Sequence, residues 1–295
     1  MADLTGVFVP VTTPFRGDDV ATERFVDNIR TWNATPLSGY VVLGSTGEFP
    51  LLSDDERDRV LVAAREAIPR EKTFLAGTGA DSTRQTIVRT KRAAEIGADV
   101  AIVVTPHYFT REFGHAAAQV RHYLAVADAS PIPVMIYNFP RNTGINLEAS
   151  TVARIAAHPN VCGIKDSSGL IPQCAQTIDQ TPKTFHVLTG SATGLLPALA
   201  IGASGGVLAL ALIAAREFCD VFALARQGRW DEARGIAQRM AVAERGVSGQ
   251  YGIGGLKAAL DLQGLFGGPC RAPLPTPDGD AIEDIKEVLA TAGLL

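Results

Sequence analysis

Eight short apolar runs, each followed by a helical pattern, dominate the first 214 positions of this 295-residue chain. Short apolar runs between turn signals predict buried strands, and strands that alternate with helices predict a parallel sheet. The runs lie at residues 5–11, 39–43, 73–77, 99–105, 132–137, 161–165, 185–189 and 205–210. Such a series can close into a (β/α)8 TIM barrel, a fold that commonly has this length.

An open doubly wound sheet is the alternative arrangement of the same elements. That fold favours a glycine-rich phosphate-binding turn after its first strand, but the segment Val9–Pro14 contains no glycine. After Ala214 the strand patterns stop, and helical patterns cover residues 215–226, 230–245, 255–262 and 281–289. We therefore expect a barrel over residues 1–214 and a C-terminal helical extension over residues 215–295 that packs on the barrel.

The composition argues against several classes of protein. The net charge is −4 and no basic block occurs, so nucleic acid is not an expected partner. The longest apolar segments are too short to cross a bilayer, and no membrane association is expected. The four cysteines lack zinc-site or redox spacing, which favours a reducing cytoplasm. No histidine pair has metal-ligand spacing, so we expect neither a metal nor an organic cofactor.

Lys165 ends the apolar run at residues 161–165, an unusual place for a lysine. It could extend to the strand end or pair with Asp166. Alternatively, it could be a desolvated amine that attacks a carbonyl and forms a Schiff base. The other five lysines fall in turns, loops or helical patterns: Lys72, Lys91, Lys183, Lys257 and Lys286. Lys165 is therefore the candidate nucleophile.

Polar side chains at other strand ends would converge with Lys165, because barrel active sites lie where strands end. Tyr137 ends the neighbouring strand, where it could be a core aromatic or a proton shuttle to a lysine-bound substrate. A phenol that acts as a base needs a hydroxyl relay or a nearby cation, and Ser45 and Tyr108 are the candidate relay partners. The turn at residues 44–48 could bind a carboxylate through its amides and hydroxyls, or be a plain turn.

With these residues the chain resembles the pyruvate-dependent class I aldolases, the family of dihydrodipicolinate synthase and N-acetylneuraminate lyase. The marks that carry the resemblance keep the family's order and spacing over essentially the whole chain, at residues 10–15, 44–48, 105–108, 137–140 and 163–166. The resemblance implies a TIM barrel with a helical tail, a small 2-oxo acid as substrate, and no cofactor beyond the covalent lysine. It also implies a homotetramer built from two tight dimers.

Several roles follow from the resemblance, position by position. Lys165 matches the lysine that forms the Schiff base, and Tyr137 matches the tyrosine that shuttles protons. Ser45 stands where the family has the relay threonine or serine. Tyr108 matches a tyrosine that in many members reaches into the neighbouring subunit's site. Thr46 matches the residue that helps to hold the pyruvyl carboxylate.

One departure from the pattern concerns the substrate. In dihydrodipicolinate synthases an arginine that meets a substrate carboxylate follows the tyrosine by five residues, and here that position is Asn142, beside Arg141. Within the family, the chain is most similar to 4-hydroxy-2-oxoglutarate aldolase. The shared marks lie at residues 47–50, 130–133, 142–144, 165–167 and 267–274. Substrate contacts are therefore expected from Thr46, Ser167, Asn142, Gly190 and Val207.

The resemblance predicts reversible cleavage of a 4-hydroxy-2-oxo acid, 4-hydroxy-2-oxoglutarate, to pyruvate and glyoxylate. The same chemistry could act on a 2-keto-3-deoxy sugar acid, an N-acylneuraminate or an aromatic hydratase-aldolase substrate. It could also build 4-hydroxy-tetrahydrodipicolinate, which Asn142 disfavours. The alternatives of another kind are a non-catalytic ligand-sensing barrel and metal-dependent aldol cleavage, for which the sequence supplies no ligand set.

Overall fold

The computed structural model describes residues 3–295, and within them eight parallel strands form a closed barrel. Their order around the barrel follows their order in the chain. The strands are Gly6–Pro10 (β1), Gly39–Val42 (β2), Thr73–Gly77 (β3), Val100–Val104 (β4), Val134–Asn138 (β5), Val161–Asp166 (β6), His186–Thr189 (β7) and Gly205–Val207 (β8). The prediction of a (β/α)8 barrel is confirmed.

Helices follow the strands along the chain. Those up to the last strand are Thr22–Asn33 (α1), Asp54–Ala67 (α2), Thr83–Ile96 (α3), Thr110–Phe113 (α4), Ala116–Ala129 (α5), Pro140–Thr143 (α6), Ala149–Ala156 (α7), Ile171–Gln180 (α8) and Leu195–Ala200 (α9). The C-terminal helices are Ala215–Arg226 (α10), Trp230–Ala243 (α11), Gln250–Leu262 (α12) and Gly279–Thr291 (α13). A π-helical segment, Glu244–Gly249, joins α11 to α12.

The sequence prediction was wrong at the end of the eighth strand, which was expected to reach residue 210. β8 ends at Val207, and Ala209–Leu212 forms a 3-10 turn. An apolar run alone does not distinguish a strand from a buried turn, because both bury the same side chains. The short helices α4 and α6 and the antiparallel ribbon of Phe15–Arg16 with Asp19–Val20 were not predicted either.

The barrel strands are buried along nearly their whole length, because both faces meet apolar neighbours, and only Thr73 and His186 at the start of β3 and β7 are half-buried. Every residue of β4, β5 and β6 is buried. The register between β5 and β6 sets Tyr137 opposite Lys165 and Asn138 opposite Asp166. The two strand ends that carry the candidate catalytic residues are therefore held side by side by the backbone itself.

Helix caps form where the sequence carries their signals. Ser53 Oγ accepts the N–H of Glu56 at 3.2 Å, and the Glu56 carboxylate accepts the N–H of Ser53 at 2.9 Å. This reciprocal pair is a capping box, which satisfies two backbone donors at the start of α2. Helix α3 ends at Gly97, whose φ of 100° lies in the left-handed region that suits glycine.

The contacts divide the chain into two compact units. The first unit joins the described residues up to Gly6 with Thr73–Val207. Its apolar core is formed by side chains of the strands and of the helices α5, α7 and α8, including Tyr123, Ile136 and Ile164. The second unit joins Val7–Lys72 with Leu208–Leu295.

Within the second unit, the C-terminal residues are tied to α1. Trp32 Nε1 donates to Leu212 O at 2.9 Å, and Asn28 exchanges two hydrogen bonds with the backbone of Phe266 at 2.7 and 3.0 Å. The predicted domain boundary at residue 214 stays a prediction. No helix in residues 3–295 is both long enough and apolar enough to cross a membrane.

Candidate active site

Lys165 and Tyr137 form the centre of the site in the first unit. Each side chain is buried, with 4% of the residue surface exposed. Lys165 Nζ lies 4.1 Å from the centroid of the Tyr137 ring, and that ring stacks on Phe139 with 5.7 Å between centroids. An amine at this distance from a ring face is held by a cation–π contact. Burial also withdraws the amine from water, and desolvation is one way in which enzymes activate a lysine as a nucleophile.

Asp166 does not pair with Lys165, so that alternative interpretation is wrong. Successive side chains of a strand point to opposite faces, which separates the two groups. The Asp166 carboxylate instead accepts hydrogen bonds from Asn138 Nδ2 at 3.0 Å, the Ser168 N–H at 2.9 Å and Gln173 Nε2 at 3.3 Å. Among residues 3–295, no carboxylate lies within ion-pair distance of Lys165.

The hydrogen bonds around Asp166 continue into the loop after β5. Asn138 Oδ1 accepts the N–H of Leu147 at 3.1 Å, and Asn138 Nδ2 donates to Asn146 Oδ1 at 2.9 Å. Asn146 Nδ2 in turn donates to Gln173 Oε1 at 2.7 Å. This buried network fixes the strand ends beside Tyr137 and Lys165. Sequence reasoning missed it, although both Asn138 and Asp166 directly follow a candidate catalytic residue.

Ser167 and Lys165 both lie close to Gly190, and the substrate-binding roles expected for Ser167 and Gly190 stay predictions. A Cβ atom at Gly190 would overlap Ser167 Oγ and would lie 3.2 Å from Lys165 Cε. The Gly190 N–H donates to Asp166 O at 2.7 Å, which holds the two loops together. The absence of a side chain at Gly190 is therefore what admits the serine hydroxyl beside the lysine.

Three other predicted site residues have different surroundings. Tyr108 is 77% exposed, and its ring meets the edge of Phe109 with 5.1 Å between centroids. Its loop is held by Asp81 Oδ1, which accepts the Tyr108 N–H at 3.0 Å. Asn142 is exposed on the short helix α6, and Val207 is buried at the end of β8. The roles of these three residues stay predictions.

The turn after β2 carries Ser45 and Thr46 in the second unit. Ser45–Gly47 forms a 3-10 turn in which Thr46 is buried. Thr13 Oγ1 donates to Gly47 O at 2.8 Å, and this hydrogen bond holds the end of the turn. Leu43 and Glu48, which flank the turn, are the non-glycine residues of the described chain with positive φ, at 60° and 55°. Such backbone strain persists only where surrounding contacts impose it, and it is concentrated at functional sites.

A second buried lysine lies in the same unit as this turn. Lys257 is 1% exposed, and its Nζ forms an ion pair with Glu48 Oε1. Burial lowers the pKa of the Lys257 amine, while the neighbouring Glu48 acts in the opposite direction. The sequence analysis set Lys257 aside because it falls in a helical pattern. The apolar residues on both sides of it were the signal that it is buried.

The cysteines of the described chain are buried thiols, and its acidic side chains form no metal-binding cluster. All four cysteines are buried and unpaired. Burial raises the pKa of the Cys162 thiol to about 12, so it stays protonated at neutral pH. In the part of the chain that the structure describes, no group of three or more His, Cys, Asp or Glu side chains could hold a metal ion.

The barrel places the chain among TIM-barrel proteins, whose active sites lie at the carboxyl ends of the strands. The sequence profile of the Dihydrodipicolinate synthetase family matches residues 3–292. A 4-hydroxy-tetrahydrodipicolinate synthase from Methanosphaerula palustris is 32% identical over 290 residues, which is 97% of this chain and 98% of that protein. An uncharacterized DapA-like lyase from Halobacterium salinarum is 38% identical over 296 residues, which is 99% of this chain and 95% of that protein.

Solved structures give the same result. The chain matches a crystal structure of DHDPS from Cyanidioschyzon merolae with lysine bound, with a TM-score of 0.95, 28% identity and 100% of both chains covered. It also matches the chloride-inhibited dihydrodipicolinate synthase from Acinetobacter baumannii complexed with pyruvate, with a TM-score of 0.94, 29% identity and coverage of 99% and 100%. The chain belongs to the Dihydrodipicolinate synthetase family.

Family membership confirms the predicted class of enzyme. Members of this family are pyruvate-dependent class I lyases that use a lysine Schiff base and need no metal or other cofactor.

Proposed function

We propose that Lys165 forms a Schiff base with the C2 carbonyl of a 2-oxo acid and that Tyr137 moves the protons of the reaction. The observation that supports this most directly is the pair itself. A buried lysine amine lies 4.1 Å from the ring of the tyrosine directly opposite it in the neighbouring strand. A desolvated amine with a proton-transfer group beside it is what imine formation and its later steps require.

The proposed cleavage begins with the Lys165 amine. It attacks C2 of a 4-hydroxy-2-oxo acid, and loss of water gives an iminium. Tyr137, relayed through Ser45 and Tyr108, removes the proton of the C4 hydroxyl. The C3–C4 bond then breaks, its electrons move into the iminium, and an aldehyde and an enamine result. A proton returned to C3 and hydrolysis of the imine release pyruvate and free lysine.

The substrate carboxylate is assigned in this proposal to the turn at Ser45 and Thr46, where backbone amides and two hydroxyls are available. Consecutive amides in a tight turn form a concave site for an anion. Ser167, seated over Gly190 beside the Lys165 side chain, is the expected second contact. Asn142 and Val207 are the remaining predicted contacts.

The proposed substrate is 4-hydroxy-2-oxoglutarate, cleaved to pyruvate and glyoxylate. Its support is the set of sequence marks shared with that aldolase and the asparagine at position 142. The second candidate is synthesis of 4-hydroxy-tetrahydrodipicolinate, which is favoured by the names of relatives such as the Methanosphaerula palustris enzyme. Both reactions share the Lys165–pyruvate intermediate. They differ in the aldehyde accepted and in how the lysine is released, by hydrolysis in the aldolase and by ring closure through the amino group of the aldehyde substrate in the synthase.

Borohydride reduction in the presence of pyruvate tests the shared intermediate. We expect a stable adduct that peptide mapping by mass spectrometry places on Lys165, and no adduct in Lys165→Ala. An unmodified wild-type protein would contradict the mechanism and favour a ligand-sensing barrel, and an adduct on Lys257 would contradict the assignment of the nucleophile.

A panel of aldehydes then tests the substrate. Glyoxylate, aspartate semialdehyde, sugar-derived aldehydes, N-acetylmannosamine and an aromatic aldehyde would each be incubated with enzyme and pyruvate. We expect the fastest condensation with glyoxylate. Faster turnover of aspartate semialdehyde would instead establish the synthase reaction. As a control, each aldehyde is also incubated with pyruvate and the Lys165→Ala variant, which identifies condensation that does not depend on Lys165.

The assembly and the compartment are also part of the proposal. We propose a homotetramer of two tight dimers working in the cytoplasm, with Tyr108 reaching a neighbouring subunit's site. The exposed position of Tyr108 supports that role. Sedimentation velocity tests the assembly, and a monomer with full activity would contradict a catalytic role for Tyr108 across subunits.

A further inference from the structure

A buried cluster joins the turn after β2 to the C-terminal residues of the second unit. Glu48 Oε1 pairs with Lys257 Nζ, and Glu48 Oε2 accepts the backbone N–H of Arg271 at 2.9 Å. Lys257 Nζ also donates to Pro269 O at 2.8 Å. Both oxygens of the Glu48 carboxylate are therefore held by groups that lie more than 200 positions further along the chain.

The aromatic ring of Phe15 supports both cations of this cluster. Lys257 Nζ and Arg271 Cζ each lie 4.5 Å from the ring centroid. The guanidinium of Arg271 also bonds Glu56 at 2.7 Å and Leu51 O at 2.9 Å, which ties it to the residues after the turn. The segment that presents its N–H to Glu48 is thereby fixed.

The position of Glu48 makes this cluster relevant to the turn. Glu48 directly follows Ser45–Gly47 and adopts the left-handed conformation, with φ 55° and ψ 33°. A glutamate leaves this conformation unless its side chain or neighbours hold it there. Its carboxylate is held on both oxygens, so the contacts that fix the side chain also fix the end of the turn.

A contribution to stability does not explain the cluster. Replacing a buried ion pair by apolar groups of similar volume is often neutral or stabilising, because desolvation of two charges offsets their attraction. Burial also lowers the pKa of Lys257, which is the sign of that desolvation. Unlike apolar contacts, the contacts of the Glu48 carboxylate are directional. A carboxylate held by two fixed donors allows only one backbone geometry at Glu48.

We propose that Glu48 and Lys257 are positioning residues that fix the Ser45–Thr46 turn in the geometry that binds the carboxylate of the 2-oxo acid substrate. The C-terminal helical extension thus takes part in substrate binding without touching the substrate. The identity of the bound carboxylate rests on the proposed function, whereas the fixing of the turn by the pair does not.

Three variants separate positioning from stability: Glu48→Gln, Lys257→Met and the double variant. Each single change leaves one buried charge unpaired and should lower the melting temperature. The double variant removes both charges with little change in volume and keeps an acceptor for the Arg271 N–H, so we expect its melting temperature to lie above those of both single variants. The control is Glu283→Gln with Lys286→Met, an exposed ion pair at 3.1 Å on α13 of the same unit.

The deciding measurements are made on the double variant. We expect the pyruvate concentration for half-maximal borohydride trapping to rise roughly tenfold, as for loss of a hydrogen bond to a charged group. The maximal trapped fraction should stay unchanged. Hydrogen exchange of the free enzyme should rise in the peptide covering residues 44–52 and stay unchanged in the control. Wild-type half-saturation together with wild-type exchange would overturn the proposal.

The two proposals fail in different ways. If wild type forms no adduct with pyruvate, the proposed function fails, and hydrogen exchange of residues 44–52 alone still decides whether the pair fixes the turn. If the double variant does not fold, Glu48→Asp is the milder test, because it keeps both charges but shortens the side chain by one methylene, so the carboxylate no longer reaches Lys257 Nζ and the Arg271 N–H together. It should raise exchange and half-saturation by a smaller factor, and no change in either would overturn the proposal.

Discussion

Lys165 and Lys257 are buried almost equally, with 4% and 1% of their surface exposed, yet they have opposite surroundings. Lys257 has a carboxylate, a backbone carbonyl and a ring face around its amine. Lys165 has the ring of Tyr137, and in the described residues no carboxylate pairs with it. A neighbouring carboxylate favours the protonated form of an amine, which has no free lone pair with which to attack a carbonyl. In the proposed mechanism, the partner of a buried lysine, rather than its burial, therefore distinguishes the nucleophile from a lysine that fixes the backbone.

The largest expected difference is between two variants that each replace one of these lysines by an apolar residue. We expect Lys165→Ala to lower turnover by roughly 10⁴–10⁶-fold, as for other lost nucleophiles, with an almost unchanged melting temperature. Lys257→Met should instead lower the free energy of unfolding by about 3–5 kcal/mol, because Glu48 is left buried and unpaired. Steady-state kinetics and urea unfolding measure the two effects. If Lys257→Met abolished trapping at saturating pyruvate in the folded protein, the division of roles would be wrong.

Tyr137→Phe sharpens the same comparison on the side of Lys165. The ring face that holds the amine is kept and only the hydroxyl is lost. We expect borohydride trapping with pyruvate to persist while turnover falls roughly 10²–10⁴-fold. Tyr123→Phe is the matched control, because it removes a buried hydroxyl of the same unit that donates to Val103 O at 3.1 Å. Unchanged turnover in Tyr137→Phe would exclude it as the proton shuttle.

Gly190→Ala tests whether the space left by the missing side chain at Gly190 is needed for the position of the Lys165 amine. The added methyl would overlap Ser167 Oγ and press on Lys165 Cε, so the amine must shift. A displacement of about 1 Å can cost on the order of 10²-fold in rate, and we expect a loss of that size in the rate of trapping. The control is Gly235→Ala in α11, where nothing lies within 4 Å of the new Cβ. A Gly190→Ala enzyme that traps pyruvate at the wild-type rate would contradict the proposed position of Ser167.

The smallest expected effect is a pH-dependent change in stability at Glu56, the partner of Arg271 in the Lys257 cluster. The hydrogen bond from Arg271 is the main cause that lowers the pKa of Glu56 from 4.5 to about 2. A lowered pKa in the folded state stabilises the protein above pH 4.5, and this contribution is lost as the pH falls towards 2. The stability advantage of wild type over Glu56→Gln should therefore shrink across that range in thermal melts.

The exposed pair of Glu232 and Arg229 provides the control for this measurement. Because both side chains are solvated, Glu232→Gln should change stability little at any pH. A constant difference between wild type and Glu56→Gln from pH 5 to pH 2 would mean that Arg271 does not hold the Glu56 carboxylate in solution.

The sequence predicts where some site residues lie but not the hydrogen bonds of their neighbours. The placement of Lys165 beside Tyr137 could be predicted because each ends an apolar run, and a parallel barrel brings neighbouring strand ends together. The hydrogen bonds of Asn138 and Asp166 could not, because they depend on the β5–β6 register and on the loop that returns to Leu147. The 3-10 turn after Val207 was mistaken for strand, since its burial is the same.

The sequence by itself determined the barrel, the family and the choice of Lys165, because these depend on short-range patterns of apolar residues and on motifs at fixed spacing. Only the tertiary structure decided that Lys257 is the second buried lysine and that Glu48 is its partner. Glu48 and the Arg271 amide that it also holds lie 223 positions apart. No local pattern encodes such a contact, since it exists only after the C-terminal helices have packed against the residues of the first strands and helices.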